Sequence, residues 1–195
     1  FALIISFSSV KPARGVSINE QLLVAAENND LAHLKNCLDG GADVNFADEV
    51  AYTALMNASI DGHVEIVRHL LSQEGINLNL FCKTVDETAL MTAVLMGHVE
   101  VVKLLIEHEG IDANAADKKN RTAIFFALEN AEVMEILLSS EKFDLNHRDD
   151  LGKTVLEKCT DPKIRSMIEA AAAVGPSTSS QEKEIISEST TWLKI

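Results

Sequence analysis

The sequence predicts an all-α protein built from stacked pairs of short helices. Hydrophobic residues make up 47% of the chain and aromatic residues only 5%, a balance typical of aliphatic cores between packed helices. A long stretch also recurs: "TALMNASIDGHVEIVRHLLSQEGINLN" at 53–79 returns as "TALMTAVLMGHVEVVKLLIEHEGIDAN" at 88–114. A repeat of this length that encodes two helices predicts a solenoid, in which each unit packs on the next.

Two markers give the period of the repeat. A threonine opens each of four units: Thr53, Thr88, Thr122 and Thr154. An asparagine eight or nine residues earlier is the second marker: Asn45, Asn79, Asn114 and Asn146. A first unit without the threonine begins near Ser17. The sequence therefore predicts five units.

Each unit is predicted to form two helices joined by a tight turn. In the second unit Thr53 is expected to cap the first helix, and Gly62 supplies the residue that tolerates positive φ in the turn. The second helix then presents an apolar stripe at helical spacing, formed by Val64, Val67, Leu70 and Leu71. The same reasoning places Leu104 in the core of the third unit.

The fourth unit departs from this pattern. Thr122 and Glu132 are 10 residues apart, whereas the corresponding Thr88 and Glu100 are 12 apart. Two residues are therefore missing where the helices join. We expect a tighter turn and a locally irregular stack, with Thr122 still capping the first helix.

Both ends of the repeat region carry helix-start signals. Ser17 and Glu20 have the spacing of a capping box, and Asp161 precedes Pro162 as an N-cap precedes the first helical residue. The predicted boundaries are a lead-in at 1–16, a repeat domain at 17–171 and a Ser/Thr/Glu-rich tail at 172–195. The units fall at about 17–48, 49–82, 83–117, 118–149 and 150–171.

The two terminal segments leave several readings open. "FALIISF" at the start is interpreted as an extra strand or an extended lead-in. The tail, which ends near Trp192, is interpreted as a disordered tail or a link to another domain, with docking back onto the stack as the alternative.

The motifs Thr-x-Leu, Gly-His and Val-Val-x-Leu-Leu recur in register, and with them the chain resembles the ankyrin-repeat family. The resemblance implies antiparallel helix pairs with projecting finger loops, and a function in binding other proteins without catalysis. The family's Thr-Pro-Leu-His is "TALM" twice here and then "TAIF". Apolar Met56, Met91 and Phe125 are therefore expected to fill the interior position of the family's histidine.

Composition excludes several other functions. The net charge of −13 argues against a broad nucleic-acid or anionic-membrane surface, and no apolar run has the length of a membrane span. The three cysteines, Cys37, Cys82 and Cys159, are expected to be free thiols. His33 and Cys37 have ligand spacing on one helix, but nothing nearby completes a metal site. No catalytic residues, metal or cofactor are predicted.

The leading prediction is a monomeric, non-catalytic protein-recognition module in the cytoplasm or nucleus. The alternative is a substrate-targeting arm of a larger enzyme, or a secreted effector that acts in the cytosol of a host cell. A small-molecule or metal-binding protein would need a polar pocket that the sequence does not indicate.

The family resemblance also implies where a partner would bind, namely on the finger tips and the exposed face of each first helix, along the concave side. Matched unit by unit, the candidate protein-binding residues are Glu49, Val50, Tyr52, Ile60, Asp61, Lys83, Glu87, Leu95, Met96, Lys118, Lys119, Arg121 and Phe126. Several of these are apolar where a solvated helix would be polar, and 118–121 is basic on an acidic protein. We expect a partner with an apolar anchor and acidic residues. The alternative is that the apolar residues pack against the next unit and the lysines are merely solvated.

Overall fold

The computed structural model describes residues 15–174, and this part of the chain is helical. The elements are α1 (Ile18–Glu27), α2 (Leu31–Asp39), α3 (Ala54–Asp61), α4 (Val64–Leu71), α5 (Ala89–Met96), α6 (Val99–Glu107), a 3₁₀ helix (Ala123–Ala127), α7 (Ala131–Ser139), α8 (Val155–Lys158) and α9 (Pro162–Val174). The all-α prediction is confirmed. The predictions for "FALIISF" and for the tail with Trp192 concern segments outside the described residues.

The helices form two layers. The first helices of successive units contact one another in the order α1, α3, α5 and the 3₁₀ helix. The second helices make the other layer, with α2, α4, α6, α7 and α9 in sequence. Each first helix also packs on the second helix of its own unit, so that every pair shares its apolar side with its neighbours.

Side-chain caps explain where most helices begin. Thr53 Oγ1 accepts a hydrogen bond from the Met56 N–H at 3.2 Å, and Thr88 makes the same bond in the next unit. The capping box at Ser17 is present, and the Asp161 carboxylate caps α9, whose first residue is Pro162. These predictions are confirmed. α3 ends at Gly62, which adopts φ 72° as expected for the turn.

A histidine joins each regular unit to the one before it. His63 Nε2 lies 3.0 Å from the Glu27 carbonyl oxygen, and His98 Nε2 lies 2.8 Å from that of Ile60. The His98 ring also lies against Gly62, where a Cβ would come within 2.6 Å of it. The Gly-His pattern is therefore a contact between neighbouring units as well as a turn.

The core is aliphatic and continuous along the stack. Met56, Met91 and Phe125 are buried, as predicted for the position of the family histidine. The predicted stripe on the second helices was partly wrong. Ile66 is buried while Val64 and Leu71 are only half-buried, and in α6 Leu105 is fully buried whereas Leu104 is not. The physical reason is that α4 and α6 each contact three other helices, so the buried residues are not confined to a single stripe.

The fourth unit is irregular, as its missing residues predicted. Its first element is a 3₁₀ helix of five residues instead of an α-helix of eight. The predicted Thr122 cap is wrong. In the 3₁₀ helix the Phe125 N–H donates to the Thr122 carbonyl oxygen at 3.0 Å instead of to its side-chain hydroxyl. The Thr122 hydroxyl is buried with no hydrogen-bond partner.

Candidate protein-binding surface

Four finger loops project between the helix pairs, and three of them share one construction. In the first finger, Asp48 accepts hydrogen bonds from the N–H groups of Val50 and Tyr52 at 3.0 and 2.8 Å. Asp117 and Asp149 do the same at the matching positions. The remaining finger has Cys82 in place of the aspartate and is one residue longer. It keeps two backbone bonds, from the Cys82 N–H to the Glu87 carbonyl oxygen and from the Asp86 N–H to the Cys82 carbonyl oxygen, but not the two bonds to an aspartate side chain.

Adjacent fingers are hydrogen-bonded to one another. The Lys83 ammonium donates to the Glu49 carbonyl oxygen at 3.3 Å, and that of Lys118 donates to the Lys83 carbonyl oxygen at 3.2 Å. Lys118 also forms an ion pair with Asp86 at 3.4 Å. Lys83 and Lys118, two of the three predicted contact lysines, therefore have partners within the protein, although both remain exposed. Lys119 is exposed as well, and only its backbone takes part in the finger contacts.

An arginine links the finger of the fourth unit to the helix behind it. The Arg121 guanidinium pairs with the Asp117 carboxylate at 2.6 Å, and its central carbon lies 4.4 Å from the centre of the Phe126 ring. The Asp117 side chain is almost completely buried, so its carboxylate is shielded from water, while the Arg121 side chain is 29% exposed. The arrangement holds a cation over the aromatic face of Phe126, beside the finger of the fourth unit.

Glu87 is placed differently from the other candidate residues. It is only 9% exposed. Burial raises the pKa of its carboxyl group, the nearby Arg121 lowers it, and Asp117 raises it further. A buried carboxyl group in this position would support the surface from behind rather than contact a partner.

The apolar candidate residues are exposed to different degrees. Val50 is 41% and Leu95 44% exposed, while Ile60, Met96 and Phe126 are half-buried. Tyr52 is also half-buried, and burial is the main reason that the pKa of its hydroxyl is raised. Glu49 and Asp61 are exposed. The candidate residues thus combine exposed and half-buried apolar side chains with exposed charges, a mixture found in protein interfaces.

The sequence analysis missed the contacts that order the fingers. The aspartate that lies five residues before the opening threonine recurs as Asp48, Asp117 and Asp149, and this spacing was a signal for the finger construction. The stacking of Arg121 on Phe126 has no such signal, because it depends on how the finger folds back on its own helix.

The described part of the chain offers little for chemistry. It contains no group of three potential metal ligands, and its three cysteines are free and buried. Burial, followed by the charge of Asp30, raises the pKa of Cys37, which disfavours the thiolate that a metal would need. Within 15–174 no helix combines the length and apolar character needed to cross a bilayer.

Comparison with known proteins identifies the repeat. Residues 22–117 match the family model described as ankyrin repeats in three copies. Osteoclast-stimulating factor 1 is similar over 63 residues, with 41% identity for the protein from Bos taurus, 40% for that from Mus musculus and 36% for that from Danio rerio. The similar segment is 32% of this chain and spans 29% of the length of each of these relatives.

Proposed function

Because this chain belongs to the ankyrin-repeat family, whose repeats are protein-interaction modules, we propose that it binds a partner protein and catalyses no reaction. The partner would lie across the candidate surface, that is, the predicted contact residues without the buried Glu87. The observation that carries this proposal is the exposure of the apolar Val50 and Leu95 side chains, together with the half-burial of Ile60 and Met96. Exposed apolar patches rimmed by polar groups are typical of contact sites.

The basic residues among the candidate contacts suggest the chemistry of the partner. Lys118, Lys119 and Arg121 form a basic group on a chain whose net charge is −13. An acidic partner segment would be attracted to this group while the rest of the protein repels it. The partner proposed here therefore presents an apolar anchor to Leu95 and Ile60 and acidic residues to the finger of the fourth unit, which carries Lys118, Lys119 and Arg121.

An intracellular setting, in the cytoplasm or the nucleus, is part of the same proposal. It is supported by the three cysteines, which are buried as free thiols in the described part of the chain. Free thiols without disulfides are the usual state in a reducing compartment. We propose a monomer, since each unit already buries its apolar side against its neighbours.

The proposal is tested by quantitative affinity capture with matched variants. The double variant Ile60→Asp with Leu95→Asp introduces charges at two apolar residues of the candidate surface. Arg68→Glu, which changes an exposed charge on the second helix α4, is the control. Proteins recovered by the wild type and by Arg68→Glu but lost with the double variant are the expected result. If every recovered protein is insensitive to the double variant, the candidate surface is not the binding site.

A captured partner then allows the contributions to be separated. Tyr52→Ala should weaken binding by more than about 1 kcal/mol through faster dissociation, because central aromatic side chains tend to dominate such interfaces. Lys119→Glu should mainly slow association, and the effect should shrink at high salt. Lys119 is preferred to Lys118 for this test because the Lys118 side chain also joins two fingers.

A further inference from the structure

The connections between units are held by the asparagines that mark the repeat. The Asn45 amide donates to the Gly75 carbonyl oxygen at 2.8 Å, and its oxygen accepts from the Asn77 N–H at 2.7 Å. Asn79 makes the same two bonds with Gly110 and Asp112, and Asn114 makes them with Lys142 and Asp144. Each asparagine thus holds one carbonyl and, two residues later, one N–H of the following connection.

An apolar side chain lies between the two bonded groups in every case. These residues are Ile76, Ile111 and Phe143, and all three pack against the core. The asparagine therefore holds the three-residue segment by two backbone groups, while the apolar side chain between them packs on the core.

Asn146 occupies the same position at the end of the series, but within residues 15–174 no connection is hydrogen-bonded to its side chain. Its side chain is exposed and has no hydrogen bond within the described residues. Gly75 lies 12 residues after His63, and the residue at the same distance after Asp161 is Ala173. Ala173 is still part of α9, so it does not form the connecting segment that Asn146 would hold.

A cavity of about 380 Å³ lies beside Asn146. Its apolar lining comes from α7, the connection after it and α9, with Leu137, Leu138, Phe143, Leu145, Ala171 and Ala172. Asn146 stands at the same cavity, so the unused donor and acceptor adjoin an apolar space. In each interior connection, by contrast, the asparagine amide is hydrogen-bonded and an apolar side chain packs beside it.

We propose that this end of the stack is a second binding site, which takes a short segment of a partner protein. The segment gives a backbone carbonyl to the Asn146 amide and an N–H two residues later to its oxygen, while the apolar side chain between them enters the cavity. Three interior copies of the same contact support this pairing. The partner is another chain because Ala173, the chain's own residue at this register, is held in α9.

Peptide titration monitored by NMR tests the proposal on the full chain. The probe is an acetylated and amidated peptide with the sequence of residues 75–80, GINLNL, which copies the connection held by Asn45 and is uncharged. We expect saturable shifts at Leu137, Leu138, Leu145 and the Asn146 side-chain amide. Asn146→Ala should weaken binding by about tenfold, because two hydrogen bonds are lost. Asn36→Ala, an exposed asparagine on α2, is the matched control and should bind as the wild type does.

Two altered peptides separate the contacts without changing the protein. Methylation of the backbone nitrogen that corresponds to Asn77 removes the donor to the Asn146 oxygen, and Ile76→Ser removes the apolar side chain. Each should weaken binding to the wild type by about tenfold, and the methylated peptide should lose little more on the Asn146→Ala variant.

Several results would overturn the proposal. Shifts confined to the candidate surface, or equal affinity for Asn146→Ala and wild type, would show that the peptide does not use this site. Contacts between the Asn146 amide and residues 175–195 in the free protein would make the chain's own continuation the occupant. Shifts at Asn146 that depend on protein concentration without peptide would make it a second copy of the chain.

Discussion

The third and fourth units show what the loss of two residues does to a repeat. In the third unit, α5 has eight residues, begins at the Thr88 cap and ends at Gly97 with φ 75°. In the fourth, a five-residue 3₁₀ helix has no side-chain cap, and Leu128 follows it in place of the glycine. The third unit bonds to the second through His98, whereas Asn130 at the matching position caps its own helix α7. The deletion thus removes a cap and an inter-unit hydrogen bond together.

The fourth unit has larger side chains where it has lost hydrogen bonds. Phe125 is buried and Phe126 is half-buried where the third unit has Met91 and Thr92. These rings fill the space beside a shorter helix, which explains how the stack continues through an irregular unit. In a repeat, the spacing of hydrogen-bonding residues can therefore change if the volume of the packed side chains is kept.

The largest expected effect comes from truncating one leucine in the second helix of the third unit and the matching leucine of the fourth. Leu105 and Leu137 are at matching positions, and both are fully buried. We expect Leu105→Ala to lower the free energy of unfolding by about 3–5 kcal/mol and Leu137→Ala by about 2–3 kcal/mol, because the looser fourth unit can relax around the cavity. Urea denaturation measures both. Equal costs would show that the fourth unit is as rigid as the third.

Amide exchange should show the same difference locally. The amides of the 3₁₀ helix should exchange at least about tenfold faster than those of α5, because fewer and poorer hydrogen bonds lower the energy of local opening. Hydrogen–deuterium exchange followed by mass spectrometry resolves the two segments. If 123–127 proves the slower of the two, the aromatic packing compensates fully for the lost turn.

The same substitution should have opposite effects in the two units. Thr88→Val removes a cap whose hydroxyl accepts from the Met91 N–H, and should destabilise the protein by about 1 kcal/mol. Thr122→Val removes a buried hydroxyl that has no partner, and should stabilise it by about 0.5–1 kcal/mol. Thermal unfolding of the two variants is the measurement. Destabilisation by both would mean that the Thr122 hydroxyl finds a partner in solution.

The smallest expected effect lies in the fingers. Ala51 and Asn120 occupy matching positions and both have positive φ, of 64° and 54°. Ala51→Gly should stabilise the protein by about 0.5 kcal/mol, because glycine adopts this conformation without strain. Asn120→Gly should destabilise it, since the Asn120 amide donates to the Arg148 carbonyl oxygen at 2.6 Å. Denaturant midpoints would settle both, and a gain for Asn120→Gly would contradict the role given to that bond.

Local patterns in the sequence were enough to predict the helix pairs and most of their caps. Thr53, Ser17 and Asp161 cap because their bonds reach only three residues along the chain. Burial was harder to predict. The choice between Leu104 and Leu105 depends on the rotation of α6 against three neighbours, which a single stripe does not contain.

The candidate surface was predictable in outline but not in detail. The register of the repeat fixes which positions are finger tips and helix ends, and this placed Val50 and Leu95 at the surface. The burial of Glu87 was not predictable in this way, because it follows from a finger that is one residue longer than the others and carries Cys82 in place of aspartate. Departures from the repeat are therefore where sequence reasoning fails.

The contact between Gly62 and His98 has a consequence for how such an array can grow or shrink. A side chain at 62 would collide with the ring of the following unit, and a Cβ at Gly97 would likewise lie 2.9 Å from the Asn130 amide nitrogen. The glycine of one unit and the polar residue that opens the next second helix are thus inherited as a pair. A segment gained or lost in evolution, or spliced by a protein engineer, joins cleanly only if its cut leaves each glycine with the residue that rests on it. The natural unit of exchange therefore straddles two helix pairs.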